Sequence, residues 1–193
     1  MSRAITLTAL ILSVGAISSL QAQEPPSAPV SPHHGAMAMG KADQDGADPA
    51  KFVTKAAEGG LTEVALAKAA RATSQDPKIK QFAEQMLRDH GQANEELTRI
   101  AKSKGLAVPT SLDSEHQAIL QKLSNKKGTE FDTAYSKQMQ MDHEKTIALF
   151  RGAEQSSDPD LAAFAKKTLP TLTEHAKMAN DLPGASRTAN AQP

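Results

Sequence analysis

No cysteine occurs in these 193 residues, which removes disulfides, thiolate metal sites, cysteine nucleophiles and iron–sulfur ligation at once. Tryptophan is also absent, and five Phe and one Tyr are the only aromatics, so there is little of the aromatic, β-branched material that builds strands. Net charge is missing too: 22 Lys+Arg stand against 22 Asp+Glu, without the basic excess that a nucleic-acid partner would call for. Phosphate-cradling Gly-rich loops and a nucleophile-elbow Ser motif are not found, and no protein partner is named by any motif.

Long apolar runs are lacking except at the start. Residues 1–22 read as a signal peptide, with Arg3 as the positive start, an apolar stretch over 4–17, and a small-residue cleavage site ending at Ala22. That stretch is shorter than the roughly 20 apolar residues of a membrane span, so no transmembrane segment is expected after its removal. An exported, periplasmic protein follows, with outer-membrane association or secretion as variants of the same reading.

Residues 23–47 hold Pro25, Pro26, Pro29 and Pro32 with no apolar periodicity, a composition expected to stay disordered. Within it His33, His34, Met37 and Met39 form a weak soft-metal set, since imidazole and thioether both suit Cu(I). Residues 183–193 read as a second disordered tail.

Between the tails, over 48–182, the helical punctuation is legible. Asp48-Pro49, Asp76-Pro77 and Asp158-Pro159 each pair an N-cap with a proline at the first helical position, where its missing N–H costs nothing. They predict helices over about 49–74, 77–104 and 159–182. A fourth long helix is predicted over about 130–156, and the connector 105–128 carries a short one near 113–124. Two segments repeat: Phe82-x3-Met86-x2-Asp89-His90 matches Tyr135-x3-Met139-x2-Asp142-His143, and Asp76-Pro77-x4-Phe82-Ala83 matches Asp158-Pro159-x4-Phe164-Ala165. The fold class expected is all-α: a ferritin-like four-helix bundle of two hairpins with a long crossover carrying a short helix.

Helical phase then locates a candidate site. At 3.6-residue spacing, Glu63, His90 and His175 fall on the inner stripes of their helices and His143 at the margin of its own, each near mid-helix. One polar cluster at half height is the prediction. Buried ionisable groups must be paired, hydrogen-bonded or metal-filled. The cluster therefore reads either as a register-fixing hydrogen-bond network or as a site for a divalent transition metal. In the second reading Glu63, His90, His143 and His175 are ligands, with Asp89 and Asp142 behind them. Imidazole and carboxylate donors suit Zn, Fe, Mn, Cu or Ni without choosing among them. A ferritin-type di-iron centre is disfavoured because Leu87, Gln140 and Leu172 stand three before the histidines where Glu is required. A metal-dependent oxidase or peroxide-handling enzyme stays a further alternative, and no catalytic residue is assigned. Gly60, on the inner stripe beside Glu63, is expected to let a neighbour approach closely.

Phe52-Val53-x3-Ala57-x2-Gly60-Leu61-x-Glu63-Val64, Phe82-Ala83-x2-Met86-x2-Asp89-His90-x3-Asn94-x2-Leu97, Met141-Asp142-His143 and Thr168-Leu169-Pro170-x4-His175 together resemble domain-of-unknown-function family 4142, over about 48–182. The resemblance implies an exported bacterial protein with a ferritin-like helical fold and brings no established activity. At matching positions it implies that Glu63, His90, His143 and His175 are the family's polar motif residues.

Overall fold

The computed structural model describes residues 40–185, and all its elements there are helices. They are α1 (Lys41–Ala47), α2 (Pro49–Thr73), α3 (Pro77–Ser103), α4 (Ser114–Ser124), α5 (Gly128–Ala153) and α6 (Pro159–Asn180). The export segment, the His33/His34/Met37/Met39 set and residues 186–193 lie outside the described residues.

The caps form as the Asp-Pro pairs require. Asp48 accepts from the Lys51 amide at 2.9 Å, Asp76 from those of Lys78 and Ile79, and Asp158 from those of Asp160 and Leu161. Such a side chain satisfies amides that have no intrahelical acceptor. The three-residue link between α2 and α3 folds them into an antiparallel hairpin, and α5 and α6 form another. Across the hairpins α2 lies against α5 and α3 against α6, while α4, in the long connection, touches α2 and α5.

Two stretches differ from the sequence expectation. Residues 41–47, expected to be linker, form α1, which lies against α5. No apolar stripe announces it because the contact is made by glycines. A Cβ on Gly46 would stand 2.0 Å from the Leu149 carbonyl oxygen, and one on Gly152 2.0 Å from that of Asp43. At the other end, residues 183–185 of the expected tail are tied to α5. Ser136 Oγ donates to the Pro183 carbonyl at 2.8 Å, and Gly184, at φ +77°, sits against Thr133.

The apolar core is divided. One cluster holds Phe52, Val53, Leu97, Phe150, Phe164 and Leu172, with the three phenylalanine rings 5.0–6.3 Å apart between centroids. The other holds Leu66, Ile79, Phe82, Met86, Tyr135 and Met139. On every long helix the two clusters fall on opposite sides of one ionisable residue: 52–57 and 66–70 flank Glu63, 97–101 and 79–86 flank His90, 149–153 and 131–139 flank His143, 161–172 and 179–182 flank His175. A polar layer thus separates two apolar ones.

Candidate metal centre

Glu63, His90, His143 and His175 come from α2, α3, α5 and α6 and are all buried, the least covered being His90 at 5% exposure. The His90 and His175 ring centroids are 5.3 Å apart, His143 and His175 5.5 Å, and His90 and His143 5.8 Å. Phe82 covers one flank, with its ring 6.4 Å from that of His143 and 6.3 Å from that of His175.

Each imidazole is held by one nitrogen. His90 Nδ1 faces Glu63 Oε2 at 2.9 Å. His143 Nδ1 is 2.8 Å from the Met139 carbonyl oxygen, which can only accept, so that nitrogen carries the hydrogen; Glu63 Oε1 stands 3.5 Å from the same nitrogen. His175 Nε2 is 2.8 Å from Asp89 Oδ2. The other nitrogens, His90 Nε2, His143 Nε2 and His175 Nδ1, are buried with no hydrogen-bond partner among the described residues. One ligand atom from each of the three histidines lies within 4.8 Å of the other two.

The sequence treated Glu63 as a fourth equivalent ligand, but the geometry gives it another place. It stands behind the His90 and His143 rings, on the side of their Nδ1 atoms. Asp89, expected behind the histidines, is there. Asp142 is not: its carboxylate accepts from Gln138 Nε2 at 2.9 and 3.0 Å instead of meeting an imidazole. The i, i+4 spacing of Gln138 and Asp142 favours that local bond on α5. The Met139 carbonyl was missed, since a backbone acceptor leaves no mark in the side-chain pattern.

Electrostatics follow from this layout. Burial pushes the Glu63 carboxyl up, yet the facing His90 and His143 outweigh it and hold the group at about 2. For His90 burial opposes the charged form, while the Glu63 charge and hydrogen bond raise the pKa above its ordinary value. His175 is lowered, first by burial and then by its two imidazole neighbours, against the pull of Asp89. Burial raises Asp142.

Gly60 is shaped by the same layer. A Cβ there would lie 2.0 Å from Asn94 Oδ1, so the Asn94 side chain fills the space the glycine leaves, as its place on the inner stripe anticipates. Beside it a cavity of about 30 Å³ is lined by His90, His175, Glu63, Asp89, Ala93 and Phe150, among others. A larger groove of about 370 Å³, walled by residues of α1, α2, α4 and α5, reaches Glu63 but none of the three histidines of the cluster.

The family model described as Domain of unknown function (DUF4142) matches residues 34–182. The chain belongs to that family. As a DUF4142 domain it begins before Asp48, which agrees with α1 being part of the folded body. No curated protein matches this chain. Among solved structures the DUF4142 fold is similar to the "DUF305 fragment from Deinococcus radiodurans", at a TM-score of 0.62 and 13% identity. The match covers 69% of this chain and 93% of that one, a likeness of fold alone. Among the described residues no helix is long and apolar enough to cross a membrane.

Proposed function

We propose that this chain is a ferritin-like four-helix bundle of two hairpins that binds one divalent transition-metal ion through His90, His143 and His175. The observation that carries the reading is the trio of unpartnered ring nitrogens, each on an imidazole whose other nitrogen is already held by a carboxylate or carbonyl. That outer hydrogen bond is what fixes tautomer and orientation in histidine metal sites. Without an ion the trio is a set of buried polar atoms with nothing to satisfy them, an expensive arrangement. A cation satisfies all three at once and gives the buried Glu63 carboxylate a positive neighbour.

The donor set fits the group. Three imidazoles suit Zn, Cu, Ni or Fe and disfavour the oxygen-seeking Mg and Ca. At a metal–nitrogen distance of about 2.0–2.1 Å a tetrahedral ion wants its nitrogens about 3.3 Å apart. The rings must therefore draw inward from the 4.8 Å bound, a movement within side-chain rotation. With Glu63 and Asp89 engaged behind the rings, the set holds one ion rather than a carboxylate-bridged pair. The export signal read in residues 1–22 supports metal handling in the periplasm as the role.

A second reading is favoured by the His90–Glu63 contact: the layer is already an ion pair that fixes helix register. Metal analysis separates the two. The purified chain, supplied with Zn, Cu, Co, Ni or Fe, should retain close to one equivalent of a preferred ion and melt higher with it than with chelator. Retention should survive a His33→Ala/His34→Ala double variant and disappear in His143→Ala. Substoichiometric metal with an unchanged melting temperature leaves only the structural network.

A further inference from the structure

We infer that the cluster carries an exchangeable ligand position, sized for one to three heavy atoms, in the small cavity against His90 and His175. This rests on the metal reading above and deepens it. Three protein nitrogens leave a tetrahedral ion one donor short, the condition that separates reactive metal sites from closed structural ones. The nearest carboxylates do not supply the fourth. Glu63 Oε2 pairs with His90 Nδ1. Its Oε1, though without a hydrogen-bond partner, lies 3.5 Å from His143 Nδ1, on the side of the rings away from the free Nε2 atoms. Asp89 is paired with His175 Nε2. The void beside the rings is where a fourth donor has room. It is lined by two of the three histidines and by Ala93, whose side chain is small, while Asn94 occupies the space that Gly60 leaves.

Size selects the ligand. A void needs about 10–15 Å³ to hold a water, so about 30 Å³ admits one or two water-sized groups. Phe150, Phe164, Leu97 and Leu172 wall it with apolar surface, and Asn94 closes it on the Gly60 side. Phe82 stands against His143 and His175, and the larger groove stops at Glu63. The ligand class is therefore water, hydroxide or a small unbranched anion. A five-atom ring such as free imidazole is excluded.

Cobalt(II) alone is the probe, because its visible bands report both binding and a change of ligand. The full chain carrying His33→Ala and His34→Ala, which lacks the tail histidines, is loaded with Co²⁺ and titrated with azide, then separately with imidazole. The expected result is a cobalt spectrum that azide shifts and imidazole leaves unchanged. In Ala93→Leu, which fills the void, the cobalt spectrum should persist and the azide shift should be lost. A cobalt spectrum indifferent to azide overturns this inference alone. A response to imidazole as strong as to azide, or an azide shift surviving in folded Ala93→Leu, overturns the placement in this cavity. Absence of any cobalt spectrum overturns the metal reading and this inference with it. Should Ala93→Leu not fold, the azide and imidazole arms on the other chain still decide.

Discussion

Replacing Glu63 by Gln removes one charge from the polar layer and changes almost no volume. The carboxylate sits 2.9 Å from His90 Nδ1 and 3.5 Å from His143 Nδ1, and is 1% exposed. Its pKa of about 2 in the fold, against an ordinary 4.5, is a drop of 4.5 − 2 = 2.5. At about 1.36 kcal/mol for each unit this is roughly 3 kcal/mol of preference for the ionised form. Mutations that break one side of a buried ion pair cost about 3–5 kcal/mol, the same order. In Glu63→Gln the new side-chain carbonyl could still accept from His90, but the amide hydrogens would face the hydrogen-bearing Nδ1 of His143. The expected loss at pH 7 in metal-free protein is therefore about 3 kcal/mol, a fall in melting temperature of roughly 10 °C. The sign with pH follows from the depressed value. The Glu63 contribution is fully present above about 4.5 and is lost as pH falls toward 2, so the gap between the two proteins should close over that window. Urea unfolding of both at pH 7, 4.5 and 3 measures it. A gap under about 0.5 kcal/mol at pH 7, or one that stays constant with pH, refutes a buried charged Glu63.

The histidines should titrate in opposite senses in the metal-free protein. His90, raised by Glu63, adds stability that is full below 6.5 and fades as pH climbs through its folded value. His175, lowered by burial, adds stability that is full above 6.5 and fades as pH falls through its own. Imidazole NMR shifts would contradict this if His175 took up its proton at higher pH than His90. Gly152→Ala sets a Cβ 2.0 Å from the Asp43 backbone oxygen, which cannot swing aside, so α1 should detach at a cost of about 1–3 kcal/mol. Limited proteolysis would then cut near residues 40–48 while the helical content of the remainder persists, and an unchanged digestion pattern would count against the glycine contact. Asp76→Ala strips the acceptor from the Lys78 and Ile79 amides and should cost about 1 kcal/mol in urea unfolding; no loss would mean the cap is idle.

Much of this was legible because helix geometry is written in local signals. The Asp-Pro pairs located three helix starts within a residue, and helical phase picked out Glu63, His90 and His175 on their inner stripes. His143, read at the margin of a stripe that held Asp142, is the fully buried one of that pair. What stayed hidden was contact without a side-chain signature. The packing of α1 on α5 rests on two missing side chains, Gly46 and Gly152. The division of labour between Glu63 and the histidines depends on which ring nitrogen faces which neighbour, and spacing along a helix does not specify ring orientation. Asp142 looked equivalent to Asp89 by the internal repeat. Yet Asp89 reaches across to His175 on α6, whereas Asp142 accepts from Gln138 one turn back, although Gln85 stands at the same spacing before Asp89. The repeat therefore does not tell which carboxylate turns to an imidazole.

The split core has a mechanical meaning. Two greasy blocks stacked end to end share no buried residue, so what ties the melting of one to the other is the continuity of four rods and the imidazole–carboxylate belt between them. Loosening that belt weakens the coupling between the two blocks while the four continuous rods still join them. Filling it with an ion would rivet the blocks, letting amide exchange slow together from Phe52 at one end to Phe131 at the other.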